Sequence, residues 1–264
     1  MRERRGSLLS TAVAKVRREG VLPTVKQGPP WLLNTALVEL RLIALRWRRR
    51  LRYRRMGMDA VPSPEATIEV DPAAITHLVP LSRFHEPSPR AILGTVCGGD
   101  WDRDPLPIES RPKYEACRAR VEEGVPWAET GIVDHLAAEL EATHAESIEH
   151  GCRSRHDLLE RYETEREGLY VSLRENGYDR ATSPVCCRVH IDRDGQFLFG
   201  SGGRHRFYLS RLLGVESVPV QVLCRHDDWQ SVRETVAADA PGGSTADVPR
   251  DHPDLREFDT GREA

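Results

Sequence analysis

Apolar positions along the chain switch between two periods. Leu33, Ala36, Leu37, Leu40, Ala44, Trp47 and Leu51 recur at helical spacing between Pro30 and Gly57, while Arg41, Arg46, Arg48, Arg49, Arg50, Arg52, Arg54 and Arg55 crowd the remaining positions. This predicts one long basic helix. A shorter helix is expected from Ser10 to Glu19, ended by Gly20. Residues 59–66 (DAVPSPEA) read as a linker, and 67–75 (TIEVDPAAI) as a short strand, a proline turn and an apolar anchor. Three helical faces follow: Tyr114, Cys117 and Val121; then Ile132, Val133, Leu136 and Leu140; then Leu158, Tyr162, Leu169 and Leu173. The middle of the chain is therefore expected to be mainly helical.

From Val185 the period drops to two, with Val185, Cys187, Val189 and Ile191 alternating against Cys186, Arg188 and His190 as in a strand. Asp194-Gly195 turns the chain into a second strand, QFLFG. Gly202-Gly203 then opens a helix with Leu209, Leu212 and Leu213 as its buried stripe and Gly214 at the C′ position. Val218, Val220, Val222 and Cys224 make a third strand, and a last helix is expected from Asp228 to Ala238. Residues 239–264 are acidic, rich in Pro and Gly and poor in apolar groups, and are expected to be disordered.

Length and composition describe an ordinary globular chain: 264 residues, 39% hydrophobic and 30% charged. The net charge of −3 hides an asymmetry. Residues 1–58 hold 15 Lys and Arg against three Glu, a charge of +12, which leaves −15 for the remainder. Such a leader points to an anionic partner, either nucleic acid or an anionic membrane surface, contacted through residues 31–56. The stretch from Trp31 to Leu45 is too short to span a bilayer, which takes roughly 20 apolar residues, and no export signal is read because Lys15 interrupts the apolar run after MRERR. The six cysteines show no metal-type spacing and read as reduced and mostly buried. A cytoplasmic location is expected, with peripheral attachment to a membrane as its variant.

The sharpest local feature is FGSGGRHRFYLSRLLG, residues 199–214: strand, glycine turn, helix. Unpaired amides and the positive dipole end of a helix favour an anion, and glycine lets a phosphate come close to the backbone. Gly202, Gly203, Arg204, His205 and Arg206 are the expected phosphate cradle. A plain glycine hairpin followed by a surface helix is the alternative.

Residues 172–225 carry several such signatures in order. Ser172, Leu173 and Gly177 end a helix; Asp194-Gly195 makes a turn; Gly203, His205 and Arg206 start a helix; Leu213-Gly214 ends it; Val218-Pro219-Val220 begins a strand. In this order they resemble the ParB/sulfiredoxin-like domain family, whose opening strand and Asp-Pro continuation the segment 67–75 is similar to. The resemblance implies an α+β fold with a small mixed sheet over residues 59–238. Residues 80–165 would be a large helical insertion, and the N-terminal basic helix would stand outside the domain. It implies a nucleotide such as ATP or CTP, or another phosphate, at the glycine–His–Arg turn; Mg²⁺ is a separate expectation, held through water by the two aspartates of GGDWD. Arg204 stands where sulfiredoxins carry the catalytic cysteine, so reduction of a sulfinic acid is not expected. No helix-turn-helix region follows Arg225, which speaks against operator binding.

Asp194 and the pair Asp100/Asp102 in GGDWD are the carboxylates expected to serve metal or general-base roles in phosphoryl transfer or phosphodiester hydrolysis. The structural alternative has Trp101 plugging the core and the aspartates capping a turn. Trp127 is read as an anchor and Thr130 as the cap of the next helix, and Asp227 or Asp228 as the cap of the last. His144, His150 and Cys152 match no standard zinc site. A second functional class stays open: a non-catalytic adaptor held on a membrane or nucleic acid by the basic helix.

Overall fold

A computed structural model of the chain describes residues 30–85, 88–149, 151–238 and 251–258. The helix expected at Ser10–Glu19 lies outside them. The chain divides into two compact units, residues 1–57 and 58–264. The described part of the first is α1 (Pro30–Arg55), which begins at the predicted proline and ends before Gly57.

The second unit is α+β. Its strands are β1 (Thr67–Val70), β2 (His77–Leu78), β3 (Thr95–Cys97), β4 (Leu106–Pro107), β5 (Cys187–Ile191), β6 (Phe197–Ser201) and β7 (Val218–His226). Its α-helices are α2 (Pro89–Ile92), α3 (Pro112–Glu122), α4 (Ile132–Thr143), α5 (Arg155–Arg161), α6 (Glu167–Asn176), α7 (Arg204–Leu212) and α8 (Asp227–Ala238). Among the described residues the strands form one mixed seven-stranded sheet, ordered β1-β7-β5-β6-β2-β4. β7 runs parallel to β5, and β2 to β6, while β5–β6 is an antiparallel hairpin. β1 pairs with the first half of β7 and β3 with its end. Two of these strands, β3 and β4, come from the segment expected to be a helical insertion, so its first third extends the sheet.

The proline turn after β1 is as expected: the Asp71 carboxylate accepts from the Ala73 amide at 2.7 Å, and Ile75 is fully buried behind it. One face of the sheet carries Val189, Ile191, Phe197 and Phe199 into the main core, against Phe207, Tyr208 and Leu209 of α7 and Tyr114 and Cys117 of α3. The other face carries Leu198 and Cys224 against Val79 and Trp101. Trp101 does plug the core. Its indole N–H donates to the Cys97 carbonyl at 3.0 Å. All six cysteines are unbridged, and five are buried.

Three local expectations are corrected. Thr130 does not cap α4: its hydroxyl donates back to the Trp127 carbonyl, and Gly131, at φ +76°, takes the cap position. The helical face predicted through Leu169 shifts by one residue, because a π-helical turn at Tyr162–Arg166 separates α5 from α6. Tyr170 therefore enters the core and Leu169 stays half-buried. The tail is not structureless throughout. Residues Pro253–Phe258 form a 3₁₀ turn whose Asp254 and Leu255 are buried. The Asp254 carboxylate accepts from Arg225 Nε at 2.9 Å and from Trp229 Nε1 at 3.1 Å, and pairs with Arg233 Nη1 at 3.0 Å. Residues 239–250 and 259–264 lie outside the described residues. The linker is held too: the Ala60 amide donates to the Glu234 carboxylate, and its carbonyl accepts from Arg233.

Candidate functional site

β6 runs directly into the glycine pair. Gly202 and Gly203 have φ of +71° and +55°, the left-handed region that glycine enters without strain. At Gly203 there is a second reason. A Cβ there would lie 1.8 Å from the Cys186 carbonyl oxygen, so only glycine lets the turn pack over the start of β5. Gly203 is also the N-cap of α7, and its carbonyl accepts the first helical bond from Phe207 N at 2.9 Å. In any helix the first-turn amides lack intrahelical acceptors and gather the positive end of the dipole.

These amides open onto a cavity of about 530 Å³. Gly200, Ser201, Gly202 and Gly203 form its floor. Its walls bring together five cations: Arg111 and Lys113 at the start of α3, Arg166 at the end of the π turn, and Arg204 and Arg206 on α7. Leu78, Pro80, Leu81, Leu106 and Leu169 give it an apolar side. Among the described residues Glu149 is the one carboxylate in the lining. It pairs with Lys113 and, at 3.4 Å, with Arg166. Burial would raise the Glu149 carboxyl, but Lys113 and the other nearby cations hold it below the usual range. The remaining positive charge has no protein carboxylate in the cavity. Two polar atoms in the lining residues are buried without a protein partner, Ser201 Oγ and Arg166 Nε.

The cradle residues divide in role. Arg204 is exposed, with its guanidinium 5.6 Å from the centre of the Phe199 ring. Arg206 is half-buried and reaches the Val185 carbonyl at 3.4 Å. His205 turns inward. It is 7% exposed, and its Nε2 lies 2.9 Å from the Tyr162 hydroxyl. Burial first, and then the nearby Arg166, push its imidazole down to about 3, so it enters the site as a neutral group. Burial and the Glu149 charge push the Tyr162 phenol well up.

Asp194, Asp100 and Asp102 lie elsewhere. Asp194 is exposed in the β5–β6 turn, at the far end of β6 from the glycines. Five strand residues separate the two places, about 17 Å. The turn itself is organised by Asp192, whose carboxylate accepts from the Asp194 and Gln196 amides at 3.0 and 2.7 Å. Arg193, beside it, grips Asp102 at 2.7 Å and Asp100 at 3.0 Å. Burial would raise Asp102, but the Arg193 side chain and amide bring it down to about 2. Asp100 and Asp102 brace the turn and the loop after β3 through Arg193, Asp194 stands exposed in that turn, and the structure does not bring these three carboxylates to the glycine turn.

At that same end His226 Nδ1 lies 3.0 Å from Asp227 and 3.3 Å from Asp228, where α8 begins. The Asp228 amide donates to both His226 Nδ1 and Asp227 Oδ1, so the group caps the helix. His144 is an exposed cap of α4 and Cys152 is buried, while His150 lies outside the described residues.

Sequence reasoning finds the glycine turn and its arginines but misses Arg111, Lys113, Glu149 and Arg166. They come from three separate places along residues 111–166, with no shared motif, and only the packing of these residues on the sheet gathers them. The π turn is a partial signal, since such turns often sit at functional sites, yet nothing in YETER announces it. No protein-family model matches the chain, and no curated protein or solved structure does either.

Proposed function

We propose that the protein binds a phosphorylated small molecule, in the first instance a nucleotide such as ATP or CTP, at the glycine turn between β6 and α7. One observation carries the reading: the N-terminus of α7 opens onto a cavity ringed by five cations and one carboxylate. A phosphate seated there would accept from the first-turn amides and from Arg204 and Arg206, in charge-assisted bonds stronger than neutral ones. Ser201 Oγ would gain a partner. The apolar side formed by Leu78, Leu81 and Leu106 suits the less polar part of such a ligand. The ordered signatures of residues 172–225 support placing this binding in a ParB/sulfiredoxin-like domain, with Mg²⁺ arriving on the nucleotide.

Binding is favoured over turnover. Phosphoryl transfer or phosphodiester hydrolysis would have to draw on Glu149, because Asp100, Asp102 and Asp194 stand at the other end of β6. A carboxylate held by Lys113 and Arg166 is a weakened base. The test is calorimetric titration of the full chain with ATP, CTP, GTP, inorganic phosphate and a short DNA duplex. Arg204→Ala and Arg206→Ala are expected each to weaken binding about tenfold. If no phosphorylated ligand binds, or if both variants bind as the parent does, the reading fails.

A further inference from the structure

Among the described residues, α1 holds six large apolar side chains in water, and four of them share one face. Leu40, Ile43, Trp47 and Leu51 follow at intervals of three, four and four residues, which keeps them within an arc of roughly 80° on one face. Their exposures are 61%, 54%, 67% and 40%. Val38 and Leu45, at 43% and 38%, stand on the other side as an isolated pair. A contiguous exposed apolar row marks an interaction surface. Six exposed arginines, Arg41, Arg48, Arg50, Arg52, Arg54 and Arg55, share the helix with the row, and Glu39 is the one acid in its sequence.

We propose that α1 lies in the interface of an anionic lipid bilayer, with the Leu40–Leu51 row in the acyl boundary and the arginines on the headgroups. The inference is independent of the phosphate cavity. Charge and apolar surface together choose the partner. Phosphates of a nucleic acid would satisfy the arginines but leave the row in water. A second copy would cover the row but bring two strongly basic helices together. An anionic membrane meets both needs, and Trp47 in the middle of the row suits the interface. Arg50 borders the row and Arg54 follows it one turn on, where long side chains lay their stems on apolar surface and lift their charge to the headgroups. The helix lies on the membrane, since no helix among the described residues is long and apolar enough to cross one.

The experiment is vesicle flotation of the full chain, with vesicles of phosphatidylcholine alone and of phosphatidylcholine mixed with phosphatidylglycerol. Binding is expected only to the anionic vesicles. The variant Leu40→Ser/Trp47→Ser, which keeps every arginine, is expected to bind at least about tenfold more weakly. Arg50→Gln/Arg54→Gln keeps the row and is expected to lose most of the anionic preference. Circular dichroism and the urea midpoint check that both remain folded. Undiminished flotation of the Leu40→Ser/Trp47→Ser chain overturns the proposal. So does a preference for duplex DNA over anionic vesicles, or a dimer in sedimentation velocity that dissolves with the same two substitutions.

Discussion

The Tyr162 hydroxyl lies 2.9 Å from Nε2 of His205, and the two rings meet edge to face with centroids 5.4 Å apart. A residue that reads in sequence as a phosphate donor is thereby spent on joining the π turn to the first turn of α7. Burial keeps it neutral. By NMR the His205 imidazole is expected to stay neutral down to pH 5; a cation at pH 6 would contradict its role here. Tyr162→Phe removes the partner of a buried ring nitrogen and is expected to cost about 1–3 kcal/mol in chemical denaturation.

The two glycines of the turn are expected to differ sharply. Gly203→Ala sets a methyl against the Cys186 carbonyl, which cannot move without shifting β5, and is expected to cost roughly 2–4 kcal/mol and abolish phosphate binding. At Gly202 the nearest obstacle is Arg188 Nη1 at 2.9 Å, the end of a flexible side chain. Gly202→Ala is expected to cost about 1 kcal/mol, mainly for its positive φ. Equal losses in thermal melts of the two variants would refute the packing argument.

Removing Asp254 tests the docked tail. Its carboxylate is buried between Arg225 and Arg233; Asp254→Asn leaves the buried Arg225 without its carboxylate, while Arg233 keeps Glu257, and is expected to destabilise the fold by about 3–5 kcal/mol. Burial would raise this carboxyl, but Arg225 and Arg233 lower it. The folded pKa lies below the unfolded one, so the contribution is full above the ordinary carboxylate range and fades as pH falls through the folded value. A truncation after Ala238 that melts like the full chain would show that the tail contributes nothing.

His190 is fully buried, stacked on Phe84 at 4.7 Å, with no hydrogen-bond partner at either nitrogen. Burial pushes it down to about 3 from 6.5. Between those values the unfolded chain binds a proton that the folded one refuses, so stability falls as pH drops. Near pH 5 each such imidazole contributes about 1.4 kcal/mol per pH unit. His190→Leu is expected to shrink the loss of unfolding free energy between pH 7 and pH 5 by about 2 kcal/mol. An unchanged difference in urea melts at the two pH values counts against this.

Asp102→Asn separates the two ends of the sheet. It weakens the grip of Arg193 and is expected to lower stability by roughly 1–3 kcal/mol while nucleotide affinity stays within about twofold. A variant of undiminished stability that loses binding or hydrolysis would return Asp102 to the functional site.

Local chemistry made much of the protein legible from its sequence. Periodicity marked α1, α3, α4, the β5–β6 hairpin, α7 and β7, because neighbours along the chain set the period of burial. The glycine pair announced a turn that only glycine can make. Tertiary structure decided what that turn faces. Arg111, Lys113, Glu149 and Arg166 are far from it in sequence, and reach it only when residues 111–166 pack on the sheet. The length of β6 sets Asp194, Asp100 and Asp102 apart from Gly203, although sequence offers both groups as parts of one site. Composition could not reveal that Asp254 docks, since the stabilising energy of a buried ion pair comes from partners some 20 to 30 residues away. Side-chain type and local period are properties of the chain, whereas convergence and burial are properties of the packed fold.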